Sequence, residues 1–294
     1  MRHHLVIGAS GMIGEHLVRA LNATGQEALA TYYKTSLPSA VPLDITNRRD
    51  VDSLFASEKP RVAFLPAALT NVDYCETHAD ETYQTNVLGA QNVIEAANST
   101  DTRLIYFSTD YIFDGRTGPY FEEEPANPVS EYGRQKLAAE HYISLFAKNY
   151  LIIRTTIVFG WERQGKNFVA RLVKSLRENI PVKVPVDQVG SPTYANNLAQ
   201  IAVELSESGL KGTVNVTGPD CIDRYGFARA TARAFQLDEG LIVPVKTEEL
   251  GQPAKRPLNA GLITAKITKI SNTPLTDYLD GLNKMAHEEN NDRR

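Results

Sequence analysis

Short apolar runs rich in branched side chains punctuate the chain: HLVI (4–7), EALAT (27–31), RVAFL (61–65), RLIYF (103–107), YLIIR (150–154) and TVNVT (213–217). Runs this short and this continuous read as strands covered on both faces. Between them, stretches 12–24, 48–57, 79–98, 130–147, 167–178 and 195–207 read as helices. Strand and helix in alternation predict a parallel sheet, because each parallel return needs a crossover that packs back on the sheet. Residues 1–160 thus read as a doubly wound α/β domain, with 194–217 returning to its sheet. Beyond Gly160 the pattern loosens and prolines cluster (Pro181, Pro185, Pro192, Pro219, Pro244, Pro253, Pro257), so 161–294 is expected to be a smaller substrate-binding lobe of loops and short elements. No period of about 20–50 residues marks a repeat array, and the polar tail HEENNDRR is expected to fray.

Composition narrows the class. A chain of 294 residues can bury a large core. Hydrophobic residues make up 42%, charged residues 22%, and the net charge is −4, which excludes the basic excess of a nucleic-acid binder. Cys75 and Cys221 are too sparse for a disulfide framework and form no CxxC, so they read as free thiols in a reducing cytoplasm. The apolar run before Gly8 is too short for a signal-peptide core, and no window approaches the ~18 apolar residues of a membrane span. Neither membrane nor nucleic acid is expected as a partner. A homodimer is the default oligomer. His3, His4, His16, His78, His141 and His287 form no close-spaced motif and are expected on helical surface.

GASGMIG (8–14) follows the first strand and opens the first helix. A glycine turn lets backbone approach a pyrophosphate, and the helix N-terminus offers free N–H groups to the anion, so Gly8, Ser10, Gly11, Met12 and Ile13 read as a dinucleotide site of Rossmann type. At the end of the second strand, ATYYKTS lacks the carboxylate that bonds the ribose of NAD; Lys34 there suits the 2′-phosphate of NADPH, with NADH as the alternative. In PLDIT (42–46), Asp44 with Ile45 can meet the adenine, or Asp44 can cap the helix that starts near Arg48.

SEYGRQK (130–136) contains the chain's one YxxxK spacing. Residues four apart share a helix face, so the Lys136 ammonium is expected beside the Tyr132 phenol, lowering its pKa toward the working pH of a general acid. Ser108, Thr109 and Tyr111, in STDYIFDG, fall at a strand's carboxyl end, where open parallel sheets hold ligands. Asn86 either positions groups near Lys136 or lies on a helix's polar face. Gln188, Ser191, Thr193, Arg256 and Asn259 lie in Pro-rich loops and can reach a nucleotide diphosphate, Arg256 by bidentate recognition; Gln188 and Thr193 equally suit loop capping. Trp161 covers the site's mouth or packs a seam.

The ordered set GASGMIG, AALTNVDYCE (67–76), STDYIFDG (108–115), YGRQK (132–136), GKNF (165–168), DQVGSPTYANNLA (187–199) and KRPLNAGL (255–262) resembles the extended short-chain dehydrogenase/reductases, and within them the dTDP-4-dehydrorhamnose reductase family, over nearly the whole chain. The resemblance implies hydride delivery from NADPH to C4 of a dTDP-linked 4-keto-6-deoxyhexose. It casts Thr109 as a donor to the substrate carbonyl, Tyr132 as proton donor, and Lys136 as the residue that tunes Tyr132 and grips the ribose. Ala67, Ala68 and Thr70 fall beside the cofactor, and Thr70, Asp73, Tyr111 and Asn167 at the sugar. Members commonly read RTSWVYG where this chain reads RTTIVFG, which puts Ile157 at the sugar-contacting tryptophan. A metal-holding subset uses glutamates; Glu15 has a counterpart, but PTYANNLA supplies amides, so no metal is expected. Tyr111 after Thr-Asp argues for reduction rather than the dehydration that Thr-Asp-Glu would suit. The same motifs resemble the regulatory β subunit of methionine adenosyltransferase, which implies an NADP-binding subunit as the alternative; a reductase of another nucleotide-deoxysugar is the third reading.

Overall fold

The computed structural model describes residues 4–292, with side chains through Glu289. Its strands are β1 (His4–Ile7), β2 (Ala28–Tyr32), β3 (Val41–Pro42), β4 (Val62–Leu65), β5 (Arg103–Thr109) and β6 (Tyr150–Thr155). Then come β7 (Val158–Phe159), β8 (Val182–Pro185), β9 (Val189–Gly190), β10 (Thr193–Tyr194), β11 (Gly212–Asn215), β12 (Ile222–Asp223) and β13 (Ile242–Val245). Seven of them form one parallel sheet in the order β11-β6-β5-β4-β1-β2-β3. All six apolar runs lie in it, and β11 closes the edge beside β6, as 213–217 was expected to.

The helices are α1 (Met12–Ala23), α2 (Arg48–Glu58), α3 (Val72–Thr77), α4 (Ala79–Tyr83), α5 (Ala90–Ser99), α6 (Glu131–Phe146), α7 (Phe168–Arg177) and α8 (Ala195–Glu207), followed by α9 (Arg224–Ala234), α10 (Ala265–Ile270) and α11 (Tyr278–Asp292). Side chains alternate along each strand and so feed two cores. Val6, Phe64, Ile105, Phe107 and Ile153 face α1 and α8, where Leu17, Leu21, Leu198 and Ile201 meet them. Leu5, Ile7, Leu104, Tyr106 and Ile152 face α2, α5 and α6 through Phe55, Val93, Ile94, Ala139 and Ile143. Each such side chain, fully buried, is worth roughly 2 kcal/mol, which is why strands with no polar face persist between the helices.

Three expectations need correction. The second lobe holds more than loops and short elements: α9 and α11 are full helices, and α11 packs Leu282 and Met285 against Phe159, Tyr194 and Phe227. The tail does not fray from His287, since α11 continues through Asp292; residues 293–294 lie outside the described part. Two histidines are buried rather than on helical surface. His4 is a strand residue bonded to Arg61 and Glu207, and His16 meets the Trp161 carbonyl. Burial lowers both pKa values, and His3 lies outside the described residues.

Helix α6 is set close to the end of β5. Ser130 caps it through a bond from the Gly133 N–H, and its buried stripe holds Tyr132, Gln135, Lys136, Ala139, Glu140 and Ile143. Spacings of three and four put these on one face, most of it polar. Gly133 makes the approach possible: a Cβ there would stand 2.1 Å from the Tyr111 carbonyl oxygen and 3.0 Å from Pro128 Cβ. Backbone and ring cannot swing aside, so Gly133→Ala is expected to lose roughly 1–3 kcal/mol of stability. The midpoint of urea unfolding measures it, and an unchanged midpoint would mean that α6 does not sit that close.

Candidate active site

The sheet order reverses between β1 and β4, and ligand crevices open at such switch points, at the carboxyl ends of the strands. Here a crevice of about 520 Å3 runs from the glycine turn past the ends of β5 and β6 to the first turn of α9. Its wall includes Gly8, Gly11, Met12, Ile13, Ala68 and Thr70, then Ser108, Thr109, Tyr111, Tyr132 and Lys136, and farther along Asn167 and Gln188.

The residues at the first end fit a dinucleotide. Gly8 has φ +92°, and a Cβ on it would strike Ala67; a Cβ on Gly14 would lie 2.3 Å from the Gly8 carbonyl oxygen. Strand and helix therefore touch backbone to backbone. Gly11 differs, since its Cβ would meet nothing nearer than 3.6 Å, leaving the crevice side open to a phosphate. Gly11 is also the N-cap of α1 and no side chain caps that end, so the first N–H groups stay available to an anion. Ser108 Oγ, buried in the crevice wall, has no protein partner.

Thr109, Tyr132 and Lys136 come together deeper in. Tyr132 is 8% exposed and meets Tyr111 edge to face, with ring centroids 5.7 Å apart. The expected lowering of its pKa does not occur. Burial pushes the phenol well above its ordinary value, Asp110 pushes the same way, and the Thr109 hydroxyl pulls it back in part. Lys136 turns its ammonium to the Phe107 carbonyl, 2.7 Å away, and over the Tyr106 ring at 4.1 Å. Its own pKa falls to about 7 through burial, against the raising influence of Glu140. Helical spacing made the two neighbours, but desolvation decides their protonation.

Two chemically prominent residues were not singled out from the sequence. Asp110 is buried in the crevice wall, and its pKa is pushed up to about 6 by burial, opposed by bonds from Thr156 and Thr109 and by Arg224. Arg224, opening α9, lines the far end with its guanidinium over the Phe168 ring at 4.5 Å. The motif-based choice, Arg256, is instead paired with Asp73 at 2.7 Å, and Asp73 also accepts from the Ala254 N–H. Neither lines the crevice: they tie the 66–77 segment to the 252–262 loop. The signal for Arg224 was its place at a helix start after Asp223, which caps α9.

Several other candidates lie outside the crevice wall. Ser10 gives its carbonyl to Gln164, and Arg163 binds Glu15, so the segment 161–167 lies over the glycine turn. Ala67 donates its N–H to Ile7 beneath Gly8. Lys34 is exposed beyond β2, its ammonium 5.5 Å from the Tyr33 ring centre. Asp44 accepts from the N–H and hydroxyl of Thr46, while Asn47, not Asp44, caps α2. Ile45 is buried under Gly89, in the π-helical turn Gln84–Gly89 between α4 and α5. Asn86 on that turn is no solvated polar face: it is buried, brackets Leu69 through both backbone groups and donates to Gln135 on α6. Asn167 and Gln188 do line the crevice, but Asn167 also caps α7 and holds the Gly160 carbonyl, and Gln188 donates to Thr247. Ser191, Thr193 and Asn259 bond Leu262, Thr156 and Gly118, respectively. Trp161 packs on Phe235 and bonds Met285. Ile157 lines the crevice with φ +42°, a backbone state rare for a branched side chain, and reaches into the room left by Gly190.

A family model described as "RmlD substrate binding domain" matches residues 1–291. The chain is 31% identical over 291 residues to the dTDP-4-dehydrorhamnose reductase of Aggregatibacter actinomycetemcomitans, covering 95% of this chain and 96% of that one. It is 35% identical over 254 residues to the spore coat polysaccharide biosynthesis protein SpsK of Bacillus subtilis (strain 168), with 86% of each covered. The crystal structure of dTDP-4-dehydrorhamnose reductase from Bacillus anthracis in complex with NADP superposes with a TM-score of 0.89 at 29% identity, over 98% of this chain and 100% of that one. With a family model spanning nearly every residue and a shared fold, the chain belongs to the RmlD substrate binding domain family.

Proposed function

We propose that the protein reduces the 4-keto group of a dTDP-linked 6-deoxyhexose with NADPH, converting dTDP-4-dehydrorhamnose to dTDP-L-rhamnose. The observation that carries this reading is the placement of Thr109, Tyr132 and Lys136 in one crevice that continues to an uncapped helix N-terminus behind a glycine turn. Residues 1–160 with 194–217 form the cofactor half, and the remainder is the substrate lobe. Relatives named for this reduction, and a related structure solved with NADP, support it.

NADPH, when bound, supplies the hydride. Gly8, Gly11, Met12 and Ile13 hold its diphosphate, with Ala68 and Thr70 alongside; Lys34 answers the 2′-phosphate. Lys136 holds the ribose hydroxyls. Tyr132 gives its phenolic proton to the oxygen as the carbonyl becomes an alcohol, and Thr109 steadies the charge that develops there. A phenol whose pKa is raised keeps its proton through neutral pH, which suits a donor. Tyr111 and Ile157 shape the sugar end, with Ile157 giving an aliphatic contact. Arg224 takes the diphosphate of the nucleotide sugar, a role for which Arg256, neutralised by Asp73, is less fitted. A cytoplasmic homodimer belongs to the same proposal; Leu145 and Phe146, exposed on α6, support an apolar contact between copies, and no helix among the described residues is long and apolar enough to cross a membrane.

The direct test mixes the protein with NADPH and a panel of nucleotide ketosugars while following nicotinamide absorbance. Oxidation with the dTDP-linked 4-keto-6-deoxyhexose is expected. Tight NADPH binding without turnover on any sugar would make the protein a binding subunit. Tyr132→Phe is expected to lose on the order of 10²–10⁴ in kcat with cofactor affinity kept, and unchanged turnover would remove Tyr132 from the chemistry. Lys34→Ala is expected to raise the KM for NADPH about tenfold and leave that for NADH nearly unchanged, corresponding to one lost bond to a phosphate; equal effects on both would assign the 2′-phosphate to other residues.

A further inference from the structure

Asp110 has no task in the reaction above, although its carboxyl sits in the crevice wall and is 5% exposed. What it does is occupy Thr109. A hydroxyl has one proton to donate and two lone pairs to accept with. Thr109 Oγ1 accepts from the Tyr111 N–H at 3.2 Å and donates to Asp110 Oδ1 at 3.0 Å. Its single proton therefore points at the aspartate, leaving only a lone pair for the crevice, whereas an oxygen gaining negative charge needs a donor.

We infer that Asp110 is a positioning residue for the reduction: with its carboxyl protonated it donates to Thr109 and frees the Thr109 proton for the substrate oxygen, and once ionised it takes that proton back. The inference rests on the ketone reduction proposed above. In the protonated state Thr109 accepts from the Tyr111 N–H and the Asp110 carboxyl, and its own proton is free for the substrate oxygen beside the Tyr132 phenol. The groups facing the carboxyl are the hydroxyls of Thr109 and Thr156, its own backbone N–H, Tyr111 on its own turn, Tyr132 from α6 and Arg224 from α9. Burial outweighs the bonds and Arg224, so the group changes state near pH 6 rather than in the usual carboxylate range. A diphosphate paired with Arg224 would offset a cation that favours ionisation, so nucleotide-sugar binding itself would favour the protonated, productive state.

The sign follows from the direction of the shift: the protonated fraction is high below the raised pKa and is lost as pH rises through it. In wild-type protein saturated with NADPH and ketosugar, kcat is expected to fall by on the order of tenfold to a lower plateau between about pH 5 and about pH 8. Asp110→Asn, whose amide donates at every pH, is expected to flatten that limb. Thr109→Val is expected to flatten it at the lower level. A pH-difference infrared spectrum of the ligand-free protein should show a protonated-carboxyl band that titrates in wild type and is missing from Asp110→Asn. The inference is overturned if either variant keeps the wild-type limb, or if the band titrates unchanged without Asp110. Wild-type protein inactive on every ketosugar would overturn the reduction instead, while the infrared titration would still report whether Asp110 changes state.

Discussion

Burial of a polar stripe on α6 is the constraint on which the crevice depends. Tyr132, Gln135, Lys136 and Glu140 face the sheet rather than water, and a buried polar group left unpaired costs about 1–3 kcal/mol, more if charged. The structure answers Gln135, Lys136 and Glu140 directly. Gln135 bonds Asn86, Thr82, Ala79 and Glu131; Lys136 bonds the Phe107 carbonyl; Glu140 and Arg154 form a buried pair at 2.7 Å. Arg154 then bonds the Glu122 carbonyl, and Glu122 accepts from the Asn215 N–H on β11. Bonds thus reach from α6 to the π-helical turn on one side and to the sheet edge on the other. Such a network adds little net stability, since desolvation offsets the attraction between charges, but it breaks expensively when one partner is removed. Its effect is to hold the wall beside Tyr132 in one geometry.

The sheet was legible because strands covered on both faces must be continuously apolar, so β1, β4, β5 and β6 stood out as runs. The glycine turn and the Tyr132–Lys136 spacing were legible for a similar reason: each is local, and its geometry follows from the element carrying it. What spacing could not give is dielectric. It named the neighbours of Tyr132 but not the fact that both side chains are desolvated, so the direction of the phenol's shift came out opposite. The pairing of Arg256 was not foreseen because its partner, Asp73, is remote in sequence, and no local feature announces a pair made by two loops. His4 was misplaced for the same reason, its partners Arg61 and Glu207 coming from different elements. Helices α9 and α11 were missed because their sequences, RYGFARATARA and YLDGLNKMAHEENND, interrupt the apolar stripe with Arg, Gly and carboxylates. Only their packing on Phe159, Val169 and Val173 makes the stripe meaningful.

The charges of the crevice are arranged along its length. One end is the positive terminus of α1. The other is Arg224, whose pKa burial lowers, with Tyr111 and Asp110 opposing and Arg171 and Arg256 adding to the effect. Between them, around the ends of β5 and α6, the wall is largely uncharged donors, namely Ser108, Thr109, Tyr111 and Tyr132, with Lys136 brought to about 7 and Asp110 raised to about 6; Glu162 and Lys166 also line the crevice, from the segment over the glycine turn. Strong fixed charge suits the ends, where a diphosphate is bound equally before and during reaction and uniform attraction only raises affinity. It would not suit the middle, where a permanent cation would hold a neutral carbonyl and its product alike. Hydroxyl donors in a water-poor wall, joined to two ionisable groups that burial has brought near neutrality, interact weakly with a neutral ketone and strongly with a developing alkoxide. The sequence therefore spends its charge where the ligands are anionic, and withholds it where a proton has to move.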